Sequence, residues 1–121
     1  MQLLVSPRCI EGAREAIQGS ADIIDCKNPL EGSLGANFPW VIKEMRDVID
    51  SVDNNSIKLS ATIGDMPNLP GTASLAATGL AHLNVDYVKV GIYGPKTKED
   101  AGALLKAIVR AVKDINKNIK V

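Results

Sequence analysis

Aromatic side chains are scarce in this chain of 121 residues: one Trp, one Phe and two Tyr, 3% of the total. The core must be built from aliphatic residues, and nucleic-acid bases would find few rings to stack on. A charge bias is missing as well. Fourteen Lys and Arg balance fourteen Asp and Glu, so no net field draws in nucleic acid or an anionic membrane surface. No apolar run approaches the roughly 20 residues of a membrane span. The opening MQLLVSPR lacks the basic stretch and small-residue cleavage site of an export signal. Only two cysteines occur, Cys9 and Cys26, at a spacing that suits no metal. The expectation is a cytoplasmic chain with free thiols and no bound metal. Neither a GxGxxG nor a Walker pattern is present, so no nucleotide cofactor is expected, and no cofactor of any kind is called for.

What is present is a regular alternation. Short apolar runs at residues 2–6, 22–27, 57–63 and 86–93 read as strands. Between them stand segments with helical spacing: Ile10, Ala13, Ala16 and Ile17; then Val41, Ile42, Met45, Val48, Ile49 and Val52; then a small-residue stretch over residues 71–83. Asp53-Asn54-Asn55 should break the second helix, and Gly64-Asp65-Met66-Pro67 should end the third strand. Thr97 and Asp100 form a capping pair ahead of a stripe of Leu104, Leu105, Ile108, Val109, Val112 and Ile115. Residues 119–121 read as the start of a fifth strand. Four βα units imply parallel strands with right-handed crossovers. Residues 1–121 are read as one domain.

Side-chain parity selects between an open doubly wound sheet and half of a (β/α)8 barrel. Leu59, Ala61 and Ile63 oppose Ser60 and Thr62; Ile24 and Cys26 oppose Ile23, Asp25 and Lys27; Val88 and Val90 oppose Tyr87, Lys89 and Gly91. A sheet with helices on both faces should be apolar on both. Here one face turns polar toward the strand ends, as the interior of a barrel does at its C-terminal rim. The expected fold is α/β, the (βα)4 half of a TIM (β/α)8 barrel, with Ser6, Asp25, Lys27, Ser60, Thr62 and Lys89 lining one cavity.

Two lysines beside an aspartate make an amine site. A lysine shielded from water and near another cation has a neutral amine available at lower pH, and such an amine attacks carbonyls. A neighbouring carboxylate can move the protons. A solvated ion pair of Asp25 with Lys27 or Lys89 at the barrel mouth fits the same pattern. The loop at residues 32–37 could offer backbone N–H groups to a phosphate, or could simply need positive φ. His82 reads as a surface residue, Cys26 as core, Cys9 as inert, and Phe38 and Trp40 as packing for a helix start.

The stretches SADIIDCKNPLEGSLGANFPWVIKE, SATIGDMPNLPGTASLAATGLA and DYVKVGIYG, with LLVSP before them, resemble the (5-formylfuran-3-yl)methyl phosphate synthase family of archaeal methanofuran biosynthesis. The resemblance covers the whole chain but only the amino-terminal half of that family, whose members are roughly twice as long. It implies a TIM barrel that condenses two molecules of glyceraldehyde 3-phosphate through a lysine Schiff base, a carbon–oxygen lyase that eliminates phosphate. By motif, Lys27 becomes the Schiff-base lysine, Asp25 its acid/base neighbour and Lys89 a second active-site lysine. Ser6, Asn28, Ser60 and Thr62 are the candidate substrate contacts, and the substrate is a small phosphorylated aldehyde. Further site residues and the phosphate sites would belong to the other half, so the isolated chain is expected to be inactive or weakly active. Two other functions fit the alternation: a receiver-like signalling module using Asp65, and a non-catalytic half-barrel that assembles with a partner. An open half-barrel leaves two sheet edges, so a homo-oligomer, a dimer first of all, is expected through the first or fourth strand.

Overall fold

In a computed structural model of the chain, residues 1–52 and 56–121 are described. The expected break at Asp53-Asn54-Asn55 lies outside them. The chain alternates strand and helix: β1 (Leu4–Val5), α1 (Ile10–Gln18), β2 (Ile23–Cys26), α2 (Pro39–Ser51), β3 (Lys58–Asp65), α3 (Pro70–His82), β4 (Tyr87–Gly91) and α4 (Lys98–Ile115). A 3-10 turn, Pro29–Glu31, follows β2. All strand pairs are parallel, and the sheet order is β1-β2-β3-β4. This is a (βα)4 half-barrel whose sheet does not close. A receiver domain would carry its first strand inside the sheet, in the order 2-1-3-4-5, so the observed order excludes the receiver-like reading.

The helices form where the sequence supplies starts. Pro39 and Pro70 each open a helix, where a missing N–H costs nothing. The Thr97 hydroxyl accepts from the Asp100 N–H at 3.1 Å and caps α4. Helices α1, α2 and α4 turn an apolar stripe to the sheet, and Ala13, Ile42, Met45, Ile49, Leu104, Ile108 and Val112 are buried there against Ile24, Cys26, Leu59, Ala61 and Val88. Helix α3 is apolar or small on every side, and Ala73, Ala77, Leu80 and Ala81 are its buried face. The helix-facing strand residues are those the parity reading assigned.

Two expectations shift. Strand β3 does not stop at Ile63 but runs on to Asp65, through an irregularity in its pairing with β4 between Thr62 and Asp65. The fifth strand amounts to one parallel bridge, Tyr87 to Lys120, with the Val88 N–H donating to Lys120 O at 2.8 Å. No described helix is long and apolar enough to cross a membrane.

Candidate active site

Register stacks the inward residues in layers. Ser60 pairs with Asp25 on one side and with Tyr87 on the other, and Thr62 pairs with Lys89. Leu4 pairs with Ile23 and Val5 with Ile24, which carries Ser6 to the level of Asp25. Ser6, Asp25, Ser60 and Tyr87 therefore share one layer. Lys27, Thr62 and Lys89 stand one pleat higher, toward the C-terminal rim where barrel enzymes place their chemistry.

Asp25 is the centre of this face. It is fully buried, and its Oδ2 receives Lys89 Nζ at 2.9 Å and the Ser6 hydroxyl at 3.0 Å. Lys27 Nζ lies at 3.8 Å from the same oxygen, an ion pair but not a hydrogen bond. One acid against two bases leaves the cluster with one formal positive charge. Among the described residues, Asp25 Oδ1 and Ser60 Oγ are buried without a hydrogen-bond partner. The side chains of Lys27 and Lys89 stay partly exposed, at 27% and 34%. A buried acid thus meets two amines that a ligand can reach.

The other two candidates are occupied by the fold. Thr62 Oγ1 donates to Leu34 O at 3.1 Å and accepts from the Gly64 N–H at 3.0 Å, fastening the loop of residues 32–37 over β3. The Asn28 side chain accepts from the Leu30 N–H at 3.2 Å and caps the 3-10 turn. The loop itself is spent on its own bonds: the Gly35 N–H donates to Gly32 O and Gly35 O accepts from the Asn28 N–H. A Cβ on Gly35 would collide with Asn28 O. Glycine is there for close approach rather than to cradle an anion. Phe38 and Trp40 stack on each other at 4.8 Å and stay exposed, so they do not pack a helix start against the core.

Two residues escaped the parity reading. Asn37 Nδ2 donates to Arg8 O at 2.8 Å and to Lys27 O at 3.2 Å, joining the turn after β1 to the backbone that carries Lys27. Its only signal in the sequence is an amide at the end of a glycine loop. Asp65 is the other. Strict alternation after Thr62 would send it to the helix side. The irregularity advances β3 by three residues, from Thr62 to Asp65, while β4 advances by two, from Lys89 to Gly91, so Asp65 shares the inward position of Gly91. His82 is exposed at the end of α3, Cys9 is exposed and Cys26 is buried. Burial pushes the Cys26 thiol up to about 12.

The family described as 4-HFC-P synthase matches residues 3–121. Proteins named (5-formylfuran-3-yl)methyl phosphate synthase are similar to the chain. The one from Methanocaldococcus jannaschii is 58% identical over 118 residues, 98% of this chain and 48% of that protein. The one from Archaeoglobus fulgidus is 54% identical over 121 residues, all of this chain and 50% of that protein. The one from Methanopyrus kandleri is 49% identical over 120 residues, 99% of this chain and 49% of that protein. The chain spans about half the length of these relatives. With a match that runs through both Asp25-Cys26-Lys27 and Lys89, the chain belongs to the 4-HFC-P synthase family.

Proposed function

We propose that this half-barrel carries the amine wall of an aldehyde-condensing site, with Lys27 as the Schiff-base lysine. The observation that supports this assignment is the unequal distance of the two amines from Asp25. Lys89 at 2.9 Å is held in a charge-assisted hydrogen bond; Lys27 at 3.8 Å is the freer nitrogen. The Lys27 amine adds to an aldehyde carbonyl, the carbinolamine loses water, and an imine forms. Asp25, with Lys89 beside it, receives and returns the protons of dehydration and of enamine formation. The enamine carbon then attacks a second aldehyde. Two molecules of glyceraldehyde 3-phosphate give (5-formylfuran-3-yl)methyl phosphate, one phosphate and two waters, which balances every atom and needs no oxidant.

The relatives are named for making a phosphorylated furan aldehyde, and that product together with the cluster's positive charge supports a phosphorylated aldehyde as the substrate class. Ser6 and Ser60, level with Asp25, form the floor beneath the ligand, Ser6 by holding Asp25 and Ser60 as a buried hydroxyl, with Thr62 and Asn28 shaping the wall from behind. The complete condensation belongs to a closed barrel; imine formation needs only this wall. The test is reductive trapping with cyanoborohydride and glyceraldehyde 3-phosphate on the chain itself. The adduct mass should map to Lys27 and vanish in Lys27→Ala. An adduct confined to Lys89 or to surface lysines would remove the assignment.

A further inference from the structure

Among the described residues, Asp65 is a site-facing acid that the proposed mechanism leaves unused. It stands at the C-terminal end of β3, one layer above Thr62 and Lys89, and it is exposed. The route by which it gets there is built into the strand. Gly64 has φ +101, a conformation that L side chains rarely adopt. The Gly64 N–H is bonded to the Thr62 hydroxyl, and the pairing then slips by one residue. Irregularities of this kind re-aim a side chain next to active sites.

The position of the carboxylate is marked by two glycines. A Cβ on Gly91 would collide with Asp65 Oδ1, and one on Gly32 would lie 3.6 Å from Oδ2. Asp65 therefore lies across Gly91, with its second oxygen toward the loop after β2. Both neighbours are glycines, so nothing covers it. Among the described residues its carboxylate has no hydrogen-bond or ion-pair partner. Asp25 differs on each count: it is buried, its Oδ2 is taken by Lys89 and Ser6, and its Oδ1 is out of reach.

We infer that Asp65 is a specificity residue that accepts a hydrogen bond from a hydroxyl beside the carbonyl of the bound aldehyde. This rests on the Schiff-base reading. A ligand joined to Lys27 meets no open acceptor below the lysine layer and meets Asp65 above it. A carboxylate accepts from a hydroxyl and repels a phosphate. The phosphate of the ligand is therefore turned away from the β3–β4 rim, and the residues 32–37 loop beside Asp65 is the wrong place for it.

The experiment is the trapping rate at Lys27 for two aldehydes, glyceraldehyde 3-phosphate and 3-phosphooxypropanal, which lacks the hydroxyl. The wild-type chain should favour the hydroxylated one by roughly tenfold or more, the size of a hydrogen bond to a charged acceptor. Asp65→Ala should bring the ratio near one while leaving 3-phosphooxypropanal trapped at its wild-type rate or faster. Gly91→Ala, which pushes the carboxylate aside without removing it, should lower the ratio as well. Unphosphorylated glyceraldehyde against propanal should show the same dependence on Asp65. A tenfold preference that survives in Asp65→Ala overturns the inference and leaves the Lys27 assignment standing. Absence of any Lys27 adduct with either aldehyde overturns both. Circular dichroism on each variant checks folding, and because Asp65 is exposed, the Asp65→Ala chain should unfold at the wild-type midpoint.

Discussion

Lys89 Nζ reaches Asp25 Oδ2 at 2.9 Å from two strands away: Lys89 stands on β4, Asp25 on β2, and β3 runs between them. Between them on β3 lies Ser60, whose buried hydroxyl has no hydrogen-bond partner among the described residues. The ion pair thus bridges three strands and compensates a buried charge.

The pair should be coupled in stability. Lys89→Met leaves Asp25 buried with only Lys27 and Ser6 near it; removal of one partner of a fully buried pair costs about 3–5 kcal/mol, and the partial exposure of Lys89 brings the loss below that range. Asp25→Asn leaves two lysines facing each other without the acid and also destabilises. The double variant removes both problems together. Its loss should fall short of the sum of the single losses by about 1 kcal/mol or more, read from urea unfolding of all four chains. Additive losses would mean that the two side chains do not interact in solution.

Asn37 should matter for Lys27 without touching a substrate. Asn37→Ala removes donors to Arg8 O and Lys27 O, about 1–3 kcal/mol when a carbonyl is left unpaired. Trapping at Lys27 should slow while its ratio between hydroxylated and unhydroxylated aldehydes stays at the wild-type value. A changed ratio would place Asn37 against the ligand rather than behind the lysine.

Much of this site was legible. Ser60 and Thr62 against Leu59, Ala61 and Ile63 give the inward face directly, because a period of two carries each side chain to a known side. Asp25 and Lys27 follow from the same count. Asp65 did not, and for a physical reason: a single inserted residue inverts the parity of everything after it, and nothing in the letters Thr-Ile-Gly-Asp states that pairing slips there. The spent hydroxyl of Thr62 was hidden for a different reason. Its partner, Leu34 O, is a backbone atom brought in by a loop, and sequence spacing does not say where a loop folds.

Cys26 gives a test in pH. Burial raises its thiol from 9.0 to about 12, the nearby Asp25 charge adds to this, and a hydrogen bond with Asn37 opposes it. The unfolded chain ionises this thiol near 9 and the folded chain keeps it neutral until about 12. The stability contributed by the neutral buried thiol is therefore complete below pH 9 and is lost as the pH rises through 12, at up to about 1.4 kcal/mol per pH unit. Cys26→Ala should start from a lower stability, because of the cavity, but fall less steeply between pH 9 and 11. Equal slopes would show the thiol to be solvated. At pH 8 a thiol reagent should label the exposed Cys9 alone until the chain is unfolded.

Open edges remain on this sheet, and they carry the last expectation. Strand β1 pairs only with β2, and Leu4 is 45% exposed on the inner face. At the other side Lys120 bonds the β4 edge and presents a fresh edge of its own. Gln2, Leu4, Ile23, Tyr87, Lys120 and Val121 line one continuous groove of about 510 Å³, so both edges open onto the same space. A two-fold axis along the barrel axis keeps all strands parallel and sets β1 of one copy beside the Lys120 segment of the other. Both edges are paired at once, Leu4 and Tyr87 are covered, and Lys27 and Lys89 gain an opposite wall. Each copy then brings its Asp25–Lys27–Lys89 cluster, of formal charge +1, to the shared cavity, with Lys120 in the groove offsetting Asp65 at the rim, so inorganic phosphate should tighten the pair. Sedimentation equilibrium at micromolar concentration should give twice the mass of the chain, with the dimer strengthened by phosphate and weakened by Leu4→Glu. A monomer that unfolds cooperatively, unchanged by phosphate or by Leu4→Glu, would mean that the inner face is stable without a second copy. The half-barrel would then be a self-sufficient unit whose edges need no partner.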